Sequence, residues 1–328
     1  MPGLPILEMQ AQLRLPIIIA PMFLVSTPEM VVAAAQNGVI GTYLAPNART
    51  IEAFEAGLEQ IVAGLPNAKA PWAASMIVHP TYDRFAAELE RICTFKPPVV
   101  ITALGSPVRL LAQIHAYGGA VFCDVATPDQ ARKAAAAGVD GLILLGSGAG
   151  GHTGSYSAFA FIEEVREFWD GPLVLAGAIG TAQGLRAALE LGADFVYMGT
   201  RFLASRESMV SDEHRAMMVA SNLSDIVTTS VPTGLPANWI KASLDAAGLS
   251  YANGKGKERA DFSTLRDEVK AWKHIWSAGH SVGRTKAVES VGEIVDGLAR
   301  DFVACAAEDR LRSWNSKLGG LSEAAVHN

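Results

Sequence analysis

The amino-acid sequence predicts an α/β fold, a (β/α)8 TIM barrel with an additional C-terminal segment of helices and loops. Two observations predict it. Short apolar runs alternate with Ala-, Glu- and Leu-rich stretches, and glycines recur where those stretches end. Apolar runs without polar alternation are typical of parallel strands that are covered on both faces. Eight consecutive strand–helix units favour a closed barrel over an open doubly wound sheet, which would show the same alternation.

Eight apolar runs rich in Val, Ile and Leu are the predicted strands. They are Ile17–Met22, Val39–Leu44, Trp72–Val78, Val99–Leu104, Ala120–Val125, Gly141–Leu145, Leu173–Ala176 and Phe195–Met198. The helices predicted between them include Pro28–Asn37, Ile51–Ala63, Pro107–Tyr117, Pro128–Ala137 and Ala182–Leu191. Thr27 and Pro28 supply an N-cap and a proline at the first helical position. Gly138 and Gly192 fall where a left-handed residue commonly ends a helix.

The alternation of strands and helices stops after Arg201. We therefore expect residues 15–205 to form the barrel. Residues 206–328 are expected to form an extension of helices and loops that covers or flanks the barrel mouth within the same structural unit. The extension is predicted to contain a helix over 205–222, a connection with Thr, Pro and Gly over Val227–Ile240, a mobile segment over 250–263 and a long helix over Ser290–Leu311.

Composition, charge and missing motifs exclude several classes of function. The 328 residues carry a formal net charge of −6 and no run of Lys and Arg, which argues against a nucleic-acid partner. No export signal, no membrane-spanning run and no metal or redox spacing of the three cysteines is present. A P-loop and an early GxGxxG motif are absent. The sequence predicts a cytoplasmic protein without a membrane partner or metal site, and leaves its oligomeric state open.

Two glycine-bearing turns follow the seventh and eighth predicted strands. The first turn contains Gly177 and Ala178, and the second contains Gly199 and Thr200. In (β/α)8 barrels the loops at these positions frequently bind phosphate, because backbone N–H groups can approach it where side chains are minimal. A helix that begins near Thr181 would add a favourable dipole. The alternative is that these glycines only turn the chain.

His152 lies in the glycine-rich segment 146–154, which follows the sixth predicted strand. A stretch so poor in side chains loses much entropy on ordering, so it predicts that a flat or bulky group presses against the backbone. His152 is its only ionisable residue, and an imidazole that titrates near neutrality suits proton transfer. We predict His152 as the catalytic residue; the alternative is that it fixes the loop by hydrogen bonds. His115 and His214 fall in predicted helices and are expected to be exposed.

An ordered set of motifs resembles the nitronate monooxygenase family, formerly called 2-nitropropane dioxygenases. The resemblance covers roughly residues 15–205 and reappears near 272–284. The motifs are Ile19–Met22, Ala149–Gly154, Leu175–Ile179, Ala187–Ala193, Tyr197–Phe202 and Trp276–Gly279. Any one of them is a weak signal, and their order along the chain makes the set specific.

The resemblance implies an FMN-dependent barrel with FMN bound at the strand ends. Pro21 and Met22 would lie by the flavin ring, and His152 would be the base that takes a proton from the substrate carbon. Gly150 and Gly151 would approach the cofactor. The phosphate would be held by Gly177, Ala178, Gly199 and Thr200. The further cofactor-contacting positions that the resemblance implies are Ala20, Ser75, Asp124, Met198, Trp276, Ser277, Ala278 and Gly279.

Three positions depart from the pattern of the family. Ala178 stands where a second loop glycine is common, which binding through the backbone could tolerate. Ser75 stands where relatives carry Asn, and Asp124 stands where many carry Lys. A cation near the flavin stabilises its reduced, anionic form, whereas a carboxylate would oppose it unless it is protonated or paired. Asp124 could therefore alter the redox tuning or contact the substrate.

The sequence leaves three functions open, and each implies a small-molecule ligand. The first is oxidation of nitroalkanes or alkyl nitronates with molecular oxygen, in which His152 removes the α-proton of a neutral nitroalkane. The second is an FMN-dependent reductase or dehydrogenase that acts on an enone, an acyl thioester or a quinone and uses NAD(P)H or another donor. The third is a non-catalytic binder of a phosphorylated ligand, which would lack the flavin absorbance of the first two.

Overall fold

The computed structural model describes residues 6–66, 68, 70–251 and 272–307. Eight parallel strands form one sheet, in the order Ile17–Ile19, Phe195–Met198, Leu173–Ala176, Gly141–Leu145, Ala120–Val125, Val99–Ala103, Ala73–Ile77 and Thr42–Leu44. The sheet closes on itself where Ile18 at one edge forms a parallel bridge with Ile40, just before the strand at the other edge. The predicted (β/α)8 barrel is therefore confirmed.

The barrel strands follow the eight predicted apolar runs. They are β1 (Ile17–Ile19), β2 (Thr42–Leu44), β3 (Ala73–Ile77), β4 (Val99–Ala103), β5 (Ala120–Val125), β6 (Gly141–Leu145), β8 (Leu173–Ala176) and β9 (Phe195–Met198). A second, three-stranded antiparallel sheet contains β7 (Gly151–His152), β10 (Ile226–Thr229) and β11 (Ala237–Ile240). β1 is shorter than predicted and ends before Pro21, which has no backbone N–H for the ladder.

Helices surround the barrel and complete the alternation that the sequence predicted. They are α1 (Ile6–Ala11), α2 (Pro28–Gln36), α3 (Ile51–Gly64), α4 (Phe85–Phe95), α5 (Val108–Ala116), α6 (Pro128–Ala137), α7 (Ala158–Arg166), α8 (Ala182–Glu190), α9 (Thr200–Leu203), α10 (Asp212–Ala220), α11 (Lys241–Ala246) and α12 (Val291–Ala307). Short 3-10 turns lie at Ala45–Asn47, Leu223–Asp225 and Val282–Arg284. Thr27, Thr50, Thr127 and Thr181 each cap a helix with a side-chain oxygen.

The apolar core has two parts that follow from the alternation of side chains along each strand. Every second strand residue points into the barrel, where Ile18, Val99, Phe122 and Phe195 form an inner cluster. The residues between them point outward and pack under the helices in a larger cluster. α12 covers part of the barrel wall by packing against α8 and α2.

The predicted connection over Val227–Ile240 is wrong as a description of structure. Ile226–Thr229 and Ala237–Ile240 are paired antiparallel strands, and β11 also pairs with the segment that carries His152. The prolines and glycine between the two strands obscured them in the sequence, because such residues usually mark loops. The predicted mobile segment 250–263 lies outside the described residues from 252 onward, as does the end of the predicted terminal helix. No helix in the described part of the chain is long and apolar enough to cross a membrane.

Candidate active site

A cavity of about 2330 Å³ opens at the carboxyl ends of the barrel strands. This volume exceeds the roughly 300–1,000 Å³ that holds one drug-sized ligand, so it has room for a cofactor and a substrate together. Most of the residues predicted to bind the cofactor line it. These are Ala20, Pro21, Met22, Ser75, Asp124, Gly150, Gly151, Gly177, Ala178, Gly199, Thr200, Trp276 and Ser277, together with the predicted catalytic residue His152.

Three predicted cofactor contacts do not reach the cavity surface. The Met198 side chain is fully buried in the outer core, because it follows the inward-pointing Tyr197 on β9 and alternation turns it towards the helices. Ala278 is also fully buried. Gly279 packs beneath the glycine-rich loop, where its N–H donates to the Thr200 hydroxyl at 2.9 Å. These residues support the cavity wall from behind.

His152 is fixed by backbone pairing and not by a loop alone. It lies on β7, whose register with β11 places it opposite Ala237. Its ring meets the Trp272 ring edge-on, with the centroids 5.6 Å apart. Nε2 of His152 is buried and has no hydrogen-bond partner among the described residues, and burial lowers the pKa of the imidazole to about 4. The ring is therefore neutral at physiological pH and able to accept a proton.

His214 is a second buried imidazole in the cavity wall. The helix predicted over 205–222 is shorter in the structure, where α10 spans Asp212–Ala220. The prediction of an exposed His214 side chain was wrong, because α10 turns this face towards the cavity. The ring stacks on Trp276 with centroids 4.7 Å apart and planes 7° apart. Burial, and then the charge of Arg215, lower the pKa of His214 to about 4. Within the described structure, His214 is thus another neutral imidazole with a buried, unpartnered Nε2.

Polar side chains replace apolar ones where the barrel interior meets the cavity. Ser75, Asp124 and Tyr197 point inward from β3, β5 and β9 and line the cavity. The Ser75 hydroxyl, the Asp124 Oδ1 atom and the Tyr197 hydroxyl are each buried, and no described residue forms a hydrogen bond with them. The great majority of buried polar atoms in proteins have a hydrogen-bond partner. Unpaired polar atoms that face one cavity therefore indicate a ligand that supplies the partners.

Asp124 is the only carboxylate among the described residues that line the cavity. Desolvation raises its pKa to about 7, and it is the only cause of the shift. The charge of Asp124 in turn adds to the desolvation that raises the pKa of Tyr197. The two groups are therefore close enough to interact across the floor of the cavity.

The glycines of segment 146–154 permit close packing as well as access to the cavity. A Cβ atom at position 150 would lie 2.8 Å from the Gly279 nitrogen and 3.0 Å from the Thr200 hydroxyl. The Gly148 carbonyl accepts hydrogen bonds from the amides of Ala178 at 3.2 Å and His280 at 3.0 Å. These contacts join the glycine-rich segment 146–154 to the turn at Ala178 and to residues 279–280. Hydrogen bonds and packing within the protein therefore fix the conformation of the glycine-rich segment.

Backbone strain is concentrated around the cavity. Leu24, Leu104 and Ala178 adopt left-handed conformations with φ between 57° and 59°, and all three line the cavity. Such conformations are costly for residues that carry a Cβ atom, and they cluster at functional sites. Gly177, with φ of 115°, occupies a region that only glycine adopts easily. The Ala178 amide is occupied by Gly148, so the phosphate contact predicted for this residue would need that bond to open.

Several supporting residues escaped the sequence analysis. Tyr197 was hidden inside an apolar run, and only the two-residue alternation from Phe195 could have revealed that it points inward. Asn238 is fully buried on β11 and donates a hydrogen bond to the Ala149 carbonyl at 2.7 Å. Trp272, which lies in the C-terminal part of the chain beyond the barrel strands, contacts the His152 ring. Asn238 and Trp272 carried no local signal, since their importance arises from contacts distant in sequence.

A closed (β/α)8 barrel with a glycine-lined cavity at the carboxyl ends of its strands has the architecture of the barrel enzymes, whose active sites lie at this face. The sequence profile described as nitronate monooxygenase matches residues 62–301. This chain therefore belongs to the nitronate monooxygenase family, as the motifs predicted.

The individual relatives include proteins named nitronate monooxygenase and a protein named carboxyl-CoA dehydrogenase. The chain is 35% identical over 225 residues to a nitronate monooxygenase of Neurospora crassa, covering 61% of this chain and 58% of the relative. It is 28% identical over 282 residues to a nitronate monooxygenase of Pseudomonas aeruginosa, covering 71% and 79%. It is 33% identical over 162 residues to an octahydro-1H-indene-4-carboxyl-CoA dehydrogenase of Rhodococcus jostii, covering 49% of this chain and 44% of that protein.

Solved structures share the fold over nearly the whole chain. A nitroalkane oxidase from Streptomyces ansochromogenes has a TM-score of 0.79 and 22% identity, with 91% of this chain and 99% of the other covered. FabK from Thermotoga maritima has a TM-score of 0.77 and 22% identity, with 93% of this chain and 97% of the other covered. At these identities the likeness concerns the fold, which is the same barrel in both proteins.

Proposed function

We propose that this protein is an FMN-dependent oxidoreductase that oxidises nitroalkanes or alkyl nitronates with molecular oxygen. The observation that carries the proposal is His152, a neutral imidazole whose Nε2 has no partner among the described residues, in a cavity large enough for two ligands. Membership of the nitronate monooxygenase family supports the same reaction. So does the match to the Pseudomonas aeruginosa protein of that name, which covers most of both chains.

The residues present fit FMN as the cofactor. The flavin ring needs polar partners, and Ser75, Asp124 and Tyr197 offer three unpaired polar atoms on one cavity floor. The phosphate needs backbone amides free of side chains, and Gly177, Gly199 and Thr200 follow the strands where barrels bind phosphate. Bound FMN would supply the two-electron redox chemistry. The protein then has to position the substrate, exclude water and move one proton.

His152 performs the proton transfer in this proposal. A neutral nitroalkane must lose an α-proton before its carbon becomes electron-rich, and Nε2 accepts a proton only while the ring is neutral. Burial keeps the ring neutral by lowering the pKa to about 4. The resulting imidazolium is costly in a desolvated site, unless the negative nitronate that forms at the same moment stabilises it. The site therefore favours proton transfer to His152 when it produces such an ion pair.

A second candidate function is an FMN-dependent reductase or dehydrogenase that uses NAD(P)H and acts on an enone, an acyl thioester or a quinone. Two observations favour it: Asp124 occupies the position where many family members carry Lys, and one relative is a carboxyl-CoA dehydrogenase. Anaerobic mixing of the FMN-bound protein with NADH, NADPH or a nitronate separates the two functions. Reduction by the nitronate and not by the nucleotides supports nitronate oxidation, and the reverse supports the reductase.

Substitution of His152 by Asn or Ala tests the proposed base. Turnover of a neutral nitroalkane should fall about 10²–10⁴-fold, the usual contribution of a general base. Turnover of the matching alkyl nitronate, which has already lost its α-proton, should change much less. Steady-state oxygen consumption with the two forms of one nitro compound measures both effects in the same variant, with flavin absorbance as the control for cofactor content.

His214→Asn provides the matched control, because His214 is the other buried, neutral imidazole that lines the described cavity. We expect this variant to keep the ratio of nitroalkane to nitronate turnover. If FMN-replete His152→Asn oxidises the neutral nitroalkane at the rate of the unaltered protein, or if only His214→Asn loses that reaction, the role proposed for His152 is wrong.

A further inference from the structure

The carboxyl group of Asp124 has no ionic partner in the described part of the cavity. It lies on β5 and points inward with its Oδ1 atom buried and unpaired. On the flanking strand β6 the paired position is the apolar Ile143. Tyr197 on β9 is the titratable group that interacts with it from another strand, and Cys123 is its neighbour on β5. Both partners are acids whose ionised forms are negative, so neither supplies a positive charge that would stabilise a carboxylate.

Cations are present in the cavity but stand away from this carboxyl. Arg49, Arg84, Lys133 and Lys273 line the cavity, yet none of them contributes to the shift in the pKa of Asp124. Desolvation alone acts on the group and favours its neutral form. Asp124 is therefore held as a carboxylic acid up to about neutral pH.

A neutral carboxylic acid can do what a carboxylate at the same position cannot. Its O–H donates a hydrogen bond, whereas an ionised carboxylate only accepts. A flavin ring that covers the cavity floor would displace water from Asp124, and an unpaired carboxylate under that ring would be costly. We infer that Asp124 binds as a neutral acid that donates a hydrogen bond to an acceptor atom of the FMN ring, so that FMN binding above neutral pH is coupled to uptake of one proton.

This inference rests on FMN as the cofactor of the proposed function, and it assigns Asp124 a positioning role as a neutral hydrogen-bond donor. The linkage has a defined sign. Below pH 7 Asp124 already carries its proton, and binding needs none. Above pH 7 the free protein has lost the proton, so the dissociation constant for FMN should rise towards tenfold for each pH unit.

Calorimetric titration of the protein with FMN at pH 8, in buffers of different ionisation enthalpy, measures the proton directly. We expect about 0.9 proton taken up per FMN, the fraction of Asp124 ionised at that pH if its pKa is about 7. The FMN phosphate loses its second proton near pH 6 and so adds little at pH 8. The imidazole of His152 titrates far below this range and does not contribute.

The variant Asp124→Asn keeps the shape and the hydrogen-bond donor but cannot ionise. We expect it to take up no proton at pH 8 and to keep one FMN affinity between pH 7 and pH 9. The measurement on the unaltered protein stands even if the variant does not fold. Uptake of less than about 0.2 proton per FMN by the unaltered protein, or equal uptake by the variant, overturns the inference.

The same titrations separate this inference from the proposed function. FMN binding without proton uptake, in a protein that oxidises nitronates, overturns the role of Asp124 and leaves the function intact. Proton uptake in a protein that oxidises neither nitroalkanes nor nitronates supports the role of Asp124 and overturns the function. A protein that does not bind FMN at any pH overturns both.

Discussion

The two ends of the barrel interior are built from the same strands and differ within two residues. Towards the amino ends the inward side chains are apolar and tightly packed, and towards the carboxyl ends three of the strands present polar side chains with unpaired atoms. The pairs are Ala73 and Ser75, Phe122 and Asp124, and Phe195 and Tyr197. One end of the barrel provides stability, and the other gives up some of it to hold polar groups ready for a ligand.

The backbone shows the same difference. Three of the non-glycine residues with left-handed φ, namely Leu24, Leu104 and Ala178, lie around the cavity. Another, Lys96, ends α4 near the opposite end of the barrel, where a left-handed residue is the ordinary way to finish a helix. The strained residues beside the cavity do not end a helix, and backbone strain of this kind clusters at functional sites.

The largest effect should come from removing an aromatic ring at the apolar end. Phe195→Ala deletes a fully buried ring from the inner cluster and leaves a cavity that the closed barrel cannot easily fill. We expect the free energy of unfolding to fall by about 3–5 kcal/mol. Urea denaturation followed by circular dichroism measures it.

Tyr197→Phe is the matched change at the polar end, two residues along the same strand. It removes only a buried hydroxyl without a partner among the described residues, so the stability of the ligand-free protein should change by less than about 1 kcal/mol. A loss as large as that of Phe195→Ala would show that the two ends do not differ in the way described.

A change of intermediate size is expected for Asp124→Asn in the ligand-free protein. The folded state holds the Asp124 proton up to about pH 7, whereas an unfolded chain releases it near pH 3.8. The folded state therefore binds more protons between these values, and the contribution of Asp124 to stability is lost as the pH rises through this window. An asparagine at this position cannot ionise, so the variant does not lose stability in this way. The free energy of unfolding of the variant should therefore rise by about 2–4 kcal/mol relative to that of the unaltered protein between pH 4 and pH 8.

Denaturation of both proteins at several pH values gives the difference directly. The pKa shifts of Glu88, His152 and His214 also make stability depend on pH. They are common to the two proteins, so their effect cancels in the comparison. A difference in stability that stays constant from pH 4 to pH 8 would mean that Asp124 ionises normally in the folded protein.

A smaller effect than that of Asp124→Asn concerns the backbone at the polar end. Ala178→Gly should stabilise the ligand-free protein by about 1 kcal/mol, because glycine adopts a φ of 59° without strain. The control is Ala187→Gly in the middle of α8, where the same substitution should cost about 1 kcal/mol. Thermal unfolding compares the two variants, and a shift of the same sign in both would contradict the strain assigned to Ala178.

The barrel could be predicted from sequence because its signals are local. Each strand is a short apolar run, and helices such as α2 and α6 are marked by a threonine cap followed by proline. The hairpin of β10 and β11 was missed, since Pro232, Gly234 and Pro236 separate its strands and suggested a loop. Its pairing with β7 joins Ala237 to His152, which are so far apart in sequence that no local pattern reveals the contact.

The site was predictable in position but not in chemical state. The glycine-rich segment and the strand-end rule brought His152, Gly177 and Thr200 to one cavity. The two-residue alternation along β9 turns Tyr197 inward and Met198 outward, and this pattern is visible in the sequence itself. The neutral forms of His152 and Asp124 could not be read from sequence, because they depend on how completely the fold removes water from each group.

The pairing of β7 with β11 has a consequence for protein engineering. The strand opposite His152 begins at Ala237, far beyond the last barrel strand, and Asn238 beside it holds the glycine-rich loop. A chimera that grafts a foreign tail onto this barrel after Leu203 would keep every barrel strand but lose the backbone template that orients the imidazole. Exchange of segments in this protein should therefore use crossover points beyond Ile240, so that the histidine travels together with its template.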